Sequence, residues 1–136
     1  MQLRKLGRAS PELGEVLRLY ERAFPANERW GMDAVLDDET GISELCAFFD
    51  GELFCGFVVL LNQGDITHII YIAVPEELRG RGYGSEALGL VRAVKPGRRL
   101  LIDIERPGEG FANNAQRLRR KAFYERNGCR EAGVYY

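Results

Sequence analysis

The residues of this sequence best suited to chemistry stand together at Val74-Pro75-Glu76-Glu77-Leu78-Arg79-Gly80-Arg81-Gly82-Tyr83-Gly84. A β-branched, apolar run, Thr67 to Val74, leads into this segment, and a helical pattern leads out of it. Glycine permits positive φ and lets backbone approach a ligand closely. A helix N-terminus offers unpaired N–H groups and the positive end of the helix dipole. With Arg79 and Arg81 adding charge, the combination suits a pyrophosphate. No Gly-Lys-Ser/Thr follows, which excludes the Walker A loop, and Ser85 breaks the Gly-x-Gly-x-x-Gly pattern. Arg/Gln-x-x-Gly-x-Gly/Ala remains, and Arg79, Gly82 and Gly84 fill its fixed positions. So short a pattern, taken alone, fits a tight strand-to-helix turn with solvated arginines equally well.

Other reactive residues are scattered. Cys46, Cys55 and Cys129 are odd in number and far apart, so neither a zinc site nor a disulfide framework is expected; reduced cysteines of a cytoplasmic protein are. His68, the single histidine, begins the run before the glycine turn and reads as a surface or satisfied side chain. The net charge of -1 over 136 residues gives no general pull toward nucleic acid or an anionic membrane. No apolar stretch approaches the ~18 residues of a membrane span, and the N-terminus lacks the apolar run of a signal peptide. Metal, nucleic acid and membrane are therefore not expected as partners.

The elements that must position the turn follow from periodicity, and they make one domain over residues 1–136. Leu3 to Leu6 reads as a short strand. Ser10 is placed as an N-cap with Pro11 at the first helical position, ahead of an amphipathic helix carrying Leu13, Val16, Leu17, Tyr20 and Phe24 and stopped by Pro25. Met32 to Asp38 reads as a second short helix. Glu44 to Asp50 and Leu53 to Asn62 read as a hairpin about Asp50-Gly51. Thr67 to Val74 then reads as a central strand buried on both faces. A helix from Tyr83 to Val94, a strand from Leu100 to Ile104 and a helix from Asn114 to Asn127 follow. Leu118, Ala122 and Phe123 mark the apolar positions of that last helix, with Gly128 at its C-terminus. Arg130 to Tyr136 could begin a further strand. The order is β-α-α-β-β-β-α-β-α-β, a mixed α/β arrangement.

Taken with this order, the run IIYIAVPEELRGRGYG and the later Ala122-Phe123-Tyr124-Glu125-Arg126-Asn127-Gly128-Cys129 resemble the GNAT superfamily of N-acetyltransferases over essentially the whole chain. The second piece is similar to the family's Phe-Tyr-x-x-x-Gly-Phe signature, with Cys129 where an aromatic usually stands. The resemblance implies a mixed, mostly antiparallel central sheet with flanking helices, and an acetyl or short acyl group moved from acetyl-CoA to a primary amine of a small molecule or peptide by direct attack in a ternary complex.

It also implies a bulge in the strand before the glycine turn, and a splay from the neighbouring strand that admits the pantetheine arm. Main-chain contacts are then expected from Ile72, Ala73 and Val74, and pyrophosphate contacts from Arg79, Gly80, Arg81, Gly82, Tyr83, Gly84 and Ser85. Tyr124 would protonate or hydrogen-bond the departing thiolate. Glu105, at the end of the strand after the cofactor helix, is the first choice of general base. Glu28, between the first two helices, would bind the acceptor; Asp33, Asp37 and Asp38 would also suit a cationic one, and a solvated surface explains them as well.

Two departures stand out. The chain ends at Tyr136, about where a sixth strand would begin or finish, whereas many members continue through a seventh. A minimal end, a truncated chain and a homodimer that covers the exposed edge are the alternatives. Arg117 stands where the family usually has an asparagine, so no Asn contact to CoA is assumed from Asn113 or Asn114. The competing function is a non-catalytic acyl-CoA-binding regulatory module, which needs the glycine turn but neither the base nor Tyr124.

Overall fold

Two apolar runs, Leu45 to Phe49 and Cys55 to Leu60, are buried without a break. In the computed structural model, which describes residues 1–132, they belong to β2 (Ser43–Asp50) and β3 (Leu53–Gln63). These lie inside a five-stranded sheet of order β1-β2-β3-β4-β5, with β1 at Gln2–Lys5, β4 at Ile66–Ala73 and β5 at Arg99–Ile102. Only β4 and β5 pair in parallel; the other three pairs are antiparallel. A parallel pair needs a crossover, and α3 (Tyr83–Val94) supplies it. The helices α1 (Leu13–Ala23), α2 (Met32–Leu36) and α4 (Asn114–Arg126) complete the order. The residues fall into two compact units, Met1–Ile102 and the segment from Asp103 onward.

In the first unit the sheet carries helices on both faces. Val16, Leu19 and Tyr20 of α1 and Met32 and Val35 of α2 bury against Leu45, Ala47, Phe49, Phe57, Val59, Tyr71 and Ala73. Phe48, Cys55, Leu78 and Ala87 form a second cluster, with Ile72, Val74 and Tyr83 packed at its border. Burial of this kind is worth about 1.5–3 kcal/mol for each large apolar side chain, so the two clusters hold the sheet between its helices.

The sequence expectations need three corrections. Ser10 does not cap α1, which starts at Leu13; its hydroxyl accepts the Gly7 N–H at 2.9 Å and closes its own turn. β4 is buried only in part: half-buried and buried side chains alternate along it, the buried ones lie on one face in its first half and on the other in its second, and the longest unbroken buried run belongs to β3. Leu118 and Ala122 of α4 are exposed, and Tyr124 is the buried residue of that helix. Of the further strand expected over residues 130–136, residues 130–132 form none and the rest lie outside the described residues. No helix among the described residues is long and apolar enough to cross a membrane.

Two bulges shape the sheet. Cys55 is the extra residue of β3 opposite β2, because Phe48 pairs with Gly56 and Phe49 with Phe54. Ile70 is the extra residue of β4, because Leu60 pairs with Ile69 and Val59 with Tyr71. One inserted residue turns all later side chains to the other face. Thr67 and Ile69 therefore share the face of Leu60, while Tyr71 and Ala73 share that of Val59 and Phe57.

Gly56 is required where β3 meets the end of β4. Its φ is 141°, and a Cβ there would lie 2.1 Å from the Ala73 carbonyl oxygen and 2.5 Å from the Phe48 ring. Gly97 also has positive φ, 74°, but open space around it. Gly97→Ala should cost about 1–2 kcal/mol from backbone strain alone. Gly56→Ala adds overpacking and should cost about 3 kcal/mol or more. Urea unfolding of the two variants compares them, and equal midpoints would contradict the close approach at Gly56.

Candidate functional site

β4 leaves its bulge with one edge bonded to β3 and, among the described residues, no strand paired on the other. Ile72 and Ala73 pair with Val58 and Phe57, whereas the parallel pairing with β5 stops at Ile69 and Ile102. The chain continues through Val74, whose carbonyl accepts a hydrogen bond from Arg79 Nε at 3.3 Å. Pro75 precedes a 3-10 turn over Glu76–Leu78, anchored by buried Leu78.

Gly80 and Gly82 follow with φ of 79° and 84°, and a Cβ at either would meet nothing within 4 Å. Glycine is therefore needed here for backbone shape rather than for room. Gly82 immediately precedes α3, and no side chain caps that helix. The N–H groups of Tyr83, Gly84 and Ser85 accordingly have no acceptor within the helix. Arg81 is exposed and makes no ion pair or hydrogen bond among the described residues. The Tyr83 phenol is directed elsewhere, donating to Asp50 Oδ2 at 2.9 Å, and this neighbour raises its pKa. The turn thus presents main-chain N–H groups and one uncommitted guanidinium, which is chemistry for an anion.

On the α1–α2 connection, Glu28 ends the 3-10 turn Ala26–Glu28 and is exposed. Its carbonyl accepts the hydrogen bond of the Tyr71 phenol. Asp33, Asp37 and Asp38 are engaged within the protein. Arg8 donates to Asp33 at 3.0 Å and to Asp37 at 2.7 and 2.9 Å, and holds the Asp37 carboxyl below the usual range. Asp38 accepts from Thr40 and Ser43, whose hydroxyls and N–H groups keep its carboxyl well below that range. Glu28 alone of the four carboxylates makes no ion pair or side-chain hydrogen bond among the described residues.

The second unit is organised around Arg117. Its guanidinium meets Glu105 Oε2 at 2.6 Å, Asn113 Oδ1 at 2.8 Å and the Arg106 carbonyl at 3.0 Å, and lies 3.7 Å from the centre of the Phe111 ring. Asn114 Oδ1 accepts the Gly108 N–H at 2.7 Å. The segment from Glu105 to Phe111 is thereby tied to the first turn of α4. At the other end, Gly128 (φ 85°) closes the helix. Its N–H reaches the Glu125 carbonyl at 3.1 Å, and the Cys129 N–H reaches that of Tyr124 at 3.0 Å, the double bond of a Schellman motif. Tyr124 is buried, with the Phe123 ring centre 5.0 Å away. Burial pushes its phenol up to about 12, with Arg120 pulling the other way and Cys129 adding to the rise.

Ile72 to Ser85 are contiguous in the first unit, as the sequence implied; Glu105 and Tyr124 belong to the second. His68 sits on β4 ahead of the bulge, in register with Leu61 and Leu101. Sequence reasoning missed Tyr71, Gly56 and the hub role of Arg117. A tyrosine inside an apolar strand was the available signal, since a buried phenol needs a partner.

The profile of the acetyltransferase (GNAT) family matches residues 13–128. No curated protein matches the chain. Among solved structures, a Bacteroides thetaiotaomicron protein assigned to the GNAT acetyltransferases superposes with a TM-score of 0.78 at 22% identity, over 94% of this chain and 71% of that one. An aminoglycoside 6'-N-acetyltransferase complexed with coenzyme A gives 0.74 at 17% identity, over 99% and 88%. The ribosomal-protein-alanine N-acetyltransferase of Brucella melitensis biovar Abortus 2308 gives 0.63 at 17%, over 100% and 97%. At these identities the likeness is one of fold.

The burial of Tyr124 has a consequence for stability in alkali. Its pKa rises from an ordinary 10.0 to about 12, so across that window the unfolded chain releases a proton that the folded chain keeps. Stability is full below pH 10 and falls as the pH climbs toward 12. Denaturant unfolding near pH 9 and near pH 11 should show a larger loss in the unmodified protein than in Tyr124→Phe. Equal losses would mean that the phenol is not buried.

Proposed function

Because the chain belongs to the acetyltransferase (GNAT) family, we propose that it moves an acetyl or short acyl group from acetyl-CoA to a primary amine of a small molecule or peptide, within one acyltransferase domain spanning residues 1–136. The observation that carries this reading is the edge of β4 beyond Ile69, unpaired among the described residues, followed through the glycine turn by an uncapped helix start. An extended pantetheine arm fits such an edge as an added strand would, with Ile72, Ala73 and Val74 supplying main-chain groups. The pyrophosphate fits the N–H groups from Gly80 to Ser85, with Arg81 as the uncommitted cation and Arg79 beside it.

Direct attack forms the N–C bond and breaks the C–S bond; the amine must lose a proton and the departing sulfur must be stabilised. Tyr124, neutral throughout the physiological range, is assigned as hydrogen-bond donor to that sulfur. Glu105, with Arg117 against its Oε2 at 2.6 Å, is assigned as proton acceptor. Glu28 is assigned to the acceptor amine. The aminoglycoside and ribosomal-protein acetyltransferases among the structural neighbours support amines of either size. We read the protein as cytoplasmic, with Cys46, Cys55 and Cys129 as free thiols. The Glu105–Arg117 ion pair favours the second reading, a regulatory module that binds acyl-CoA without turnover, because it gives Glu105 a purely structural use.

Acetyl-CoA at about 100 times its dissociation constant should stabilise the fold by about 2.7 kcal/mol. Arg81→Ala should weaken its binding roughly tenfold at low salt and less at high salt. No thermal shift with acetyl-CoA would remove both CoA readings. With an amine found by a thiol-release screen, Tyr124→Phe and Glu105→Gln should each slow turnover about 100-fold while acetyl-CoA affinity is retained. Binding with no thiol release from any amine would decide for the regulatory module.

A further inference from the structure

Tyr71 is the first residue of β4 beyond the bulge. It is buried, yet both hydrogen bonds of its phenol go to the main chain of the exposed segment between α1 and α2. The hydroxyl donates to the Glu28 carbonyl and accepts the Trp30 N–H at 2.9 Å. From α1, the buried Tyr20 phenol donates to the Trp30 carbonyl at 2.9 Å. Within the segment itself the turn is closed only by the Glu28 N–H to Pro25 at 2.9 Å and the Arg29 N–H to Ala26 at 3.4 Å. The rings add to this grip. Tyr20, Phe24 and Trp30 stand edge-on to Tyr71 with centroids 4.9, 4.8 and 6.0 Å away, a favoured aromatic geometry. Two buried phenols thus hold an exposed segment by its backbone.

We propose that Tyr71 is a positioning residue for the amine acceptor. It sets residues 28–30, and with them the Glu28 carboxylate, in register with the residues that follow it on β4. Those residues, Ile72 and Ala73, are assigned above to the acyl donor, so the inference rests on that reading. One side chain then fixes the spacing between the segment that receives the amine and the strand that holds the thioester. Misplacement of either reactant by about 1 Å can slow a reaction about 100-fold, which gives such a clamp its use.

Trp30 is the single tryptophan of the chain and is 44% exposed, so its emission reports on this segment directly. In Tyr71→Phe, acrylamide quenching of Trp30 should rise about twofold or more as the segment loosens. With kanamycin or an alanine-led peptide as acceptor, whichever turns over, KM for the amine should rise about tenfold, the equivalent of one or two lost hydrogen bonds. The acetyl-CoA dissociation constant should stay within about twofold, since no main-chain group of Ile72 or Ala73 is altered. Unchanged quenching, or a parallel loss of affinity for amine and acetyl-CoA, overturns the proposal. If Tyr71→Phe does not fold, Tyr20→Phe, which removes the bond to the Trp30 carbonyl and the contact of its hydroxyl with Tyr71, replaces it under the same criteria. Should the unmodified protein show no acetyl-CoA shift, the functional reading fails, while the quenching result still decides whether Tyr71 holds the segment.

Discussion

One inserted residue, Ile70, sets the geometry on which the rest of the first unit depends. Before it, the buried side chains of β4 share a face with Leu60; after it, Tyr71 and Ala73 join the side packed by α1 and α2. The parallel pairing with β5 also ends immediately before the insertion, at Ile69. A regular strand would keep its partner and send Tyr71 to the opposite face. The bulge therefore does two things at once. Among the described residues it marks where the pairing with β5 ends, and it delivers a phenol to the segment between α1 and α2.

The glycine turn depends on this arrangement and adds electrostatics to it. Gly56 lets β3 approach the Ala73 carbonyl closely, so the end of β4 enters the turn from a fixed place. Gly80 and Gly82 then take left-handed conformations that lead into the uncapped start of α3. None of this needs a high net charge. A protein at -1 can bind an anion when the field is made locally by oriented dipoles and one free guanidinium. Arg117 does comparable local work in the second unit, where one planar cation satisfies a carboxylate, an amide and a carbonyl and stacks on a ring.

Local chemistry was legible in the sequence where it is self-contained. The hairpin at Asp50-Gly51, the span Tyr83–Val94 of α3 and the Gly128 helix end rest on residue types whose preferences are strong and short-ranged. The backbone shape of the glycine turn was legible for the same reason, whereas the Phe123-Tyr124 piece stood out only through its resemblance to a family signature. Features that depend on partners distant in sequence were not. Ser10 has the chemistry of a cap, but its hydroxyl found the Gly7 N–H first. Asp33 and Asp37 resemble an acidic docking surface until Arg8 is seen beside them. The apolar run of β4 gave no sign that its burial would alternate or that its buried side chains would change face, because both depend on the elements packed against the sheet and on the bulge at Ile70.

The grip of Tyr71 and Tyr20 on carbonyl and amide groups, with no side chain of the segment involved, separates where residues 28–30 are held from what they display. Substitution at position 28 leaves every one of those bonds chemically possible. On the proposed assignment of Glu28 to the amine, mutational drift at that position would retune which amines are welcome without forfeiting the placement, and such a scaffold would diversify its choice of partner while its donor-binding strand stays constant.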